Sequence, residues 1–133
     1  MRAALVFTLL CASCRSSSDP QAKHILSAYR AVEEAPTHDK KQALAALAAA
    51  PCGGSTCGAR DACVRYATAL HEARTHLDEA KRYGPVDAGG SGAATPSVYA
   101  VIVGAADDAT KEATAAEPAC AQALMMLSKL ANP

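Results

Sequence analysis

Apolar residues recur along this chain at steps of three and four, and the breaks between them fall at proline, glycine and capping residues. The pattern predicts helices and no strands. Asp19-Pro20 reads as an N-cap followed by proline at the first helical position. A helix then runs to about Glu34, with Ala22, Ile25, Tyr29 and Val32 on one stripe, and Pro36 stops it. Asp39 and Gln42 have the spacing of a capping box for a second helix carrying Leu44 and Leu47 and ending near Pro51.

The third helix is predicted from about Ala59 to Tyr83. Cys63, Tyr66, Leu70, Ala73, Leu77 and Ala80 form its seam, and Gly84-Pro85 ends it. Arg74, Asp78 and Arg82 follow at steps of four, a spacing that supports exposed ion pairs. Residues 84–96 are rich in glycine and read as a flexible loop, long for a compact bundle. Thr95-Pro96 caps a fourth helix with the stripe Tyr99, Ile102, Ala106, Ala109 and Ala113. The β-branched run Val98 to Val103 is read as helix, because a cap precedes it and the helical stripe continues beyond it. Glu117-Pro118 either starts a fifth helix or kinks the fourth, with Cys120, Leu124, Leu127 and Ala131 on the buried side. The expected fold is all-α, a small antiparallel bundle of four to five helices.

The first residues differ in kind. Arg2 precedes an uncharged apolar run, Ala3 to Leu10, and the small residues Ala12 and Ser13 precede Cys14. The run is far shorter than the roughly 20 residues of a membrane-spanning helix. Leu10-Cys11-Ala12-Ser13-Cys14 resembles the cleavage region of a bacterial lipoprotein signal peptide. Cys11 stands where that family usually has an aliphatic residue, with Leu10 one step earlier. The resemblance implies a signal peptide over 1–13, lipidation of Cys14 and a polar tether over 14–18. It implies export to the cell envelope with the membrane as a partner through the lipid; the alternative is ordinary secretion. Residues 19–133 then form a single helical domain.

Composition adds exclusions. Lys and Arg number 13 and Asp and Glu 13, so loss of Arg2 with the leader leaves one net negative charge. That balance gives no reason to expect nucleic acid. Alanine dominates the apolar fraction, favouring helix while burying little area per residue.

Of six cysteines, Cys11 leaves with the leader and Cys14 carries lipid. Cys52, Cys57, Cys63 and Cys120 remain, an even set that points to two disulfides in an exported domain. A four-thiolate zinc site is the alternative, but these spacings lack paired C-x-x-C knuckles. Three connectivities are open; the one favoured is Cys52–Cys57 closing the Gly53-Gly54 turn and Cys63–Cys120 joining two helices. Antiparallel packing places the end of helix two and the starts of helices one, three and five at one end of the bundle. All four cysteines gather there, near the anchor, because the tether from Cys14 to Asp19 spans at most about 18 Å. A fourth helix running unbroken through Pro118 would overturn that layout.

No motif carries chemistry convincingly. His71-Glu72-Ala73-Arg74-Thr75-His76 resembles H-E-x-x-H but has its histidines five apart, about 140° from each other around a helix. A cross-helix metal site would need His24 with His71 or His76, and the solvated-face reading is preferred. Met125-Met126 reads as one core filler and one partly exposed side chain rather than a copper site. Gly89-Gly90-Ser91-Gly92 lacks the Lys-Ser/Thr of a phosphate loop. Asp107-Asp108 and Glu33-Glu34 diverge by about 100° on their helices, so neither is a ready dyad. No catalytic residue, metal or cofactor is expected.

The leading expectation is a lipid-anchored helical protein with a structural or partner-binding role at the envelope, contacting an envelope protein near the 84–96 loop. The alternative is a periplasmic small-ligand or metal-binding bundle. A cleft of a few hundred Å3 with convergent polar groups would favour the alternative. An exposed apolar patch would favour the first.

Overall fold

A computed structural model describes residues 17–83 and 96–133. The expected leader, Cys14 and residues 84–95 of the expected loop lie outside the described residues. Four helices are present among them: α1 (Pro20–Glu34), α2 (Lys40–Ala48), α3 (Ser55–Tyr83) and α4 (Pro96–Ala131). The fold is all-α, and both disulfides form as Cys52–Cys57 and Cys63–Cys120.

Helix α1 starts where the capping signal places it. The Asp19 carboxylate accepts from the Gln21 and Ala22 N–H groups at 2.8 and 3.3 Å. The Asp19 N–H donates to the Leu130 carbonyl at 2.9 Å, so the chain enters the domain beside the end of α4. Ala22, Ile25, Tyr29 and Val32 are all buried, as their spacing predicts.

The next two helix ends are closed by cations from the helix that follows. Lys40 Nζ donates to the Val32 and Glu33 carbonyls at the end of α1. Arg60 donates to the Ala50 carbonyl just past α2, at 3.0 Å. Each places a positive charge at a negative helix terminus and occupies carbonyls that have no partner within their own helix.

The Cys52–Cys57 turn seats α3 on α1. Gly54 takes φ +56, a left-handed conformation that glycine adopts without strain. Buried Thr56 accepts from the Gly53 N–H and donates to the Gly53 carbonyl, both at 2.9 Å. The Gln21 side-chain amide lies 3.3 Å from the same hydroxyl. These bonds start α3 at Ser55, four residues earlier than expected.

The long pair α3 and α4 is antiparallel. Cys63 faces Cys120, and Arg65 Nε reaches Glu112 Oε1 at 3.1 Å. Their backbones come close, with 4.5 Å between the Cys63 and Cys120 Cα atoms. Small side chains allow this approach: Ala59, Cys63, Ala67, Ala69, Ala73 and Ala80 on α3 are buried, as are Ala106, Ala113, Ala116, Cys120 and Ala123 on α4.

Several expectations are corrected. There is no fifth helix, because α4 runs unbroken through Pro118. Pro118 has no N–H for the Thr114 carbonyl, but both residues are exposed, so solvent can take that carbonyl. Cys120 therefore lies within α4 rather than at a helix start, which overturns the layout derived from five helices; the cysteines still lie in the lower part of the bundle because α3 and α4 are antiparallel. The Asp39–Gln42 capping box does not form: the Asp39 side chain makes no cap bond and lies 3.2 Å from His38 Nε2. Asp78 pairs with Lys81 at 3.1 Å, not with Arg74 or Arg82. Leu77 leaves the expected seam and is 47% exposed.

Two regions result. At the base, the ends of all four helices enclose one core of Ile25, Tyr29, Val32, Leu44, Leu47 and Leu127 around the disulfides. That core takes no buried residue from α3 beyond Ala67 or from α4 before Cys120. Helix α1, of 15 residues, is about 22 Å long, whereas α4, of 36, is about 54 Å. The far halves of α3 and α4 therefore extend past α1 as a two-helix arm.

Candidate functional site

Two features could engage another molecule: a cleft at the shoulder between base and arm, and the far end of the arm.

The cleft encloses about 370 Å3 where α1 ends against the middle of α3. Its floor combines Tyr29, Val32, Tyr66, Ala67 and Leu70, and its polar edge holds Glu33, Thr37, Lys40, His71, Arg74 and Asp78. It exists because Pro36 stops α1 while α3 continues. Tyr29 is 7% exposed, and burial, followed by the charges of Glu33, Tyr66 and Glu117, pushes its phenol up to about 12. The folded state thus favours the neutral phenol. That contribution is complete below the unfolded pKa near 10 and is lost as pH rises through about 12.

At the arm's end, residues 96–106 of α4 carry no charge. Val101 is 71% exposed, and Val98, Val103, Leu77 and Tyr83 are also exposed. Ile102 is buried against α3, so Val101 and Val103 fall on opposite flanks of that contact, about 100° to either side. A helix that is apolar all round is ordinarily covered on more than one side.

The histidines of the imperfect zinc motif separate as their spacing predicts. His71 lines the cleft, while His76 Nδ1 lies 3.8 Å from Glu79 Oε2. His24 is exposed on α1. Among the described residues no three His, Cys, Asp or Glu side chains converge as a metal site. Met126 packs against the core and Met125 is 62% exposed, the division expected of them. Asp107 pairs with Lys111 on the α4 surface rather than with Asp108.

Sequence reasoning missed the cleft. Its residues come from two helices and a turn, and only the relative height of α1 and α3 brings them together. The helix-stopping Pro36 was the available signal. No helix of the described residues is long and apolar enough to cross a membrane. No protein-family model matches the chain, and no curated protein or solved structure does.

Proposed function

We propose that this is an exported protein, anchored by lipid on Cys14, that holds a two-helix arm away from the membrane to dock an envelope protein. The observation that carries the reading is the exposed, uncharged start of α4 around Val101. Exposed apolar surface of this kind commonly marks an interaction site. The layout supports it. Asp19 is bonded beside the end of α4, so the tether from Cys14 joins at the base, and Val101 lies about 45 Å along α4 from there. A membrane holding the anchor does not cover the arm's end when the arm stands upright. Two disulfides suit an exported chain. Catalysis has no part in this reading.

Photo-crosslinking in intact cells tests it, with the crosslinker at Val101 or, as a control, at exposed Lys41 on the base. The expected result is one envelope protein captured from Val101 and not from Lys41, with capture lost on Val98→Asp. The same proteins from both positions, or only further copies of this chain, would overturn it. Intact mass of the membrane fraction tests the anchor: a mature chain starting elsewhere than Cys14, or lacking lipid, would remove it.

The second reading, a small-ligand binder, draws on one observation, the cleft of about 370 Å3 with polar groups converging on an apolar floor.

A further inference from the structure

The shoulder cleft has a chemical preference that its lining residues define. We propose that it binds a small organic ammonium ion, with its apolar body over the Tyr29 and Tyr66 rings and its charge toward the Glu33 carboxylate. The inference rests on the small-ligand reading of the cleft and not on the docking role of the arm.

Size comes first: about 370 Å3 lies at the lower end of small-molecule sites. Two aromatic side chains, Tyr29 and the more exposed Tyr66, line the cleft, and an organic cation gains from packing against aromatic rings.

The charges then decide the sign of the ligand. Lys40 brings an ammonium to the cleft, but it already serves the Val32 and Glu33 carbonyls. The terminus of α1 presents the negative end of its helix dipole here. Asp78 is paired with Lys81. Among the described residues no cation lies within 4.0 Å of the Glu33 carboxylate, so one acid in the cleft is left for a visiting charge. The carboxylates that act on the Tyr29 phenol point the same way, because Glu33 and Glu117 both disfavour a further negative charge at the floor. Arg74 and His71 oppose the preference; Arg74 is exposed, further along α3 than Tyr66 and Leu70. A neutral or anionic ligand of the same shape would leave Glu33 unanswered.

Calorimetric titration of the full, disulfide-intact chain with benzylammonium, benzyl alcohol and benzoate tests the preference. Benzylammonium should bind at least about tenfold more tightly than the other two, with the Tyr29 and Tyr66 ring resonances shifting together. Glu33→Gln should weaken it about fivefold or more, and Tyr66→Leu should weaken it similarly. Glu33 is exposed, so the first variant keeps the fold even where the second loosens it. Arg74→Gln should tighten the ammonium by up to about twofold, since it removes an exposed opposing charge, and weaker binding would count against the proposal. Val101→Asp should change nothing, which separates this site from the docking surface. Equal affinity for all three probes, tighter binding of benzoate, no heat at about 10 mM benzylammonium, or an unchanged affinity in Glu33→Gln would each overturn the proposal.

Discussion

The base and the arm are built from the same two long helices, yet they are held together differently. In the base, α1 and α2 bring Ile25, Val32, Leu44 and Leu47 onto α3 and α4, and Leu127 is fully buried among them. In the arm, among the described residues, α3 and α4 pack chiefly against each other. Their buried residues there are Ala69, Ala73 and Ala80 on α3 and Ile102, Ala106, Ala113 and Ala116 on α4, and Ile102 is the only large side chain among these. Alanine allows close approach but removes little apolar area from water, so helix contact alone does not make a core. The arm therefore borrows its order from the base. It also explains where the exposed apolar residues collect: α1 ends before Leu77, and nothing in the described residues covers Val101.

Both disulfides belong to the base, and their loss should produce the largest effect. Cys63–Cys120 closes a separation of 57 residues and Cys52–Cys57 one of 5. On the chain-entropy argument, replacing both Cys63 and Cys120 by serine should cost about 4 kcal/mol, and the Cys52/Cys57 pair about 2. Denaturant midpoints of the two double variants check the order. A larger loss from the short turn would mean that seating α3 on Gln21, not joining α3 to α4, holds the base.

Truncating one large side chain in each region comes next. Leu127→Ala empties a fully buried site with neighbours on all sides, and about 3 kcal/mol should be lost. Ile102→Ala should cost only about 1 kcal/mol to global unfolding, because an open two-helix seam can close around the gap. Its larger effect should be local. Amides near Ile102 should exchange by sub-global opening, while those near Leu127 exchange only on global unfolding. Equal global losses would show that the arm has a core of its own.

How legible each region was follows from the same contrast. The base announced itself through strong local signals. Asp19-Pro20 caps α1 as written, the stripe of Ala22, Ile25, Tyr29 and Val32 is buried throughout, and the favoured cysteine pairing forms. The arm was harder to read, because alanine fits a seam, a flank or an exposed face equally well. Leu77 has the spacing of a seam residue but faces a gap beyond the end of α1. The cleft depends on the same height difference, which no local pattern encodes. Asp39 and Gln42 show the reverse case, a correct spacing without the bond, since the helix begins there with Asp39 already in a helical conformation.

Pro118 tests where base and arm meet. Proline and the acid before it imitate a helix start, but the seam ignores them. Ile102, Ala106, Ala109, Ala113, Ala116, Cys120, Ala123 and Leu127 keep alternating steps of four and three, and all but the half-buried Ala109 are buried. A new helix would have reset that phase. Pro118→Ala restores an N–H opposite the Thr114 carbonyl and removes the ring from the helix interior, which favours the folded state. It also frees the unfolded chain, which offsets part of the gain. The net expectation is a stabilisation of about 1 kcal/mol with the disulfides intact, read from the denaturation midpoint, with slower exchange in the turn around Thr114. A loss of stability instead would mean that the proline ring sets a bend the base needs, and that the arm's direction is fixed at residue 118 rather than by its alanine seam.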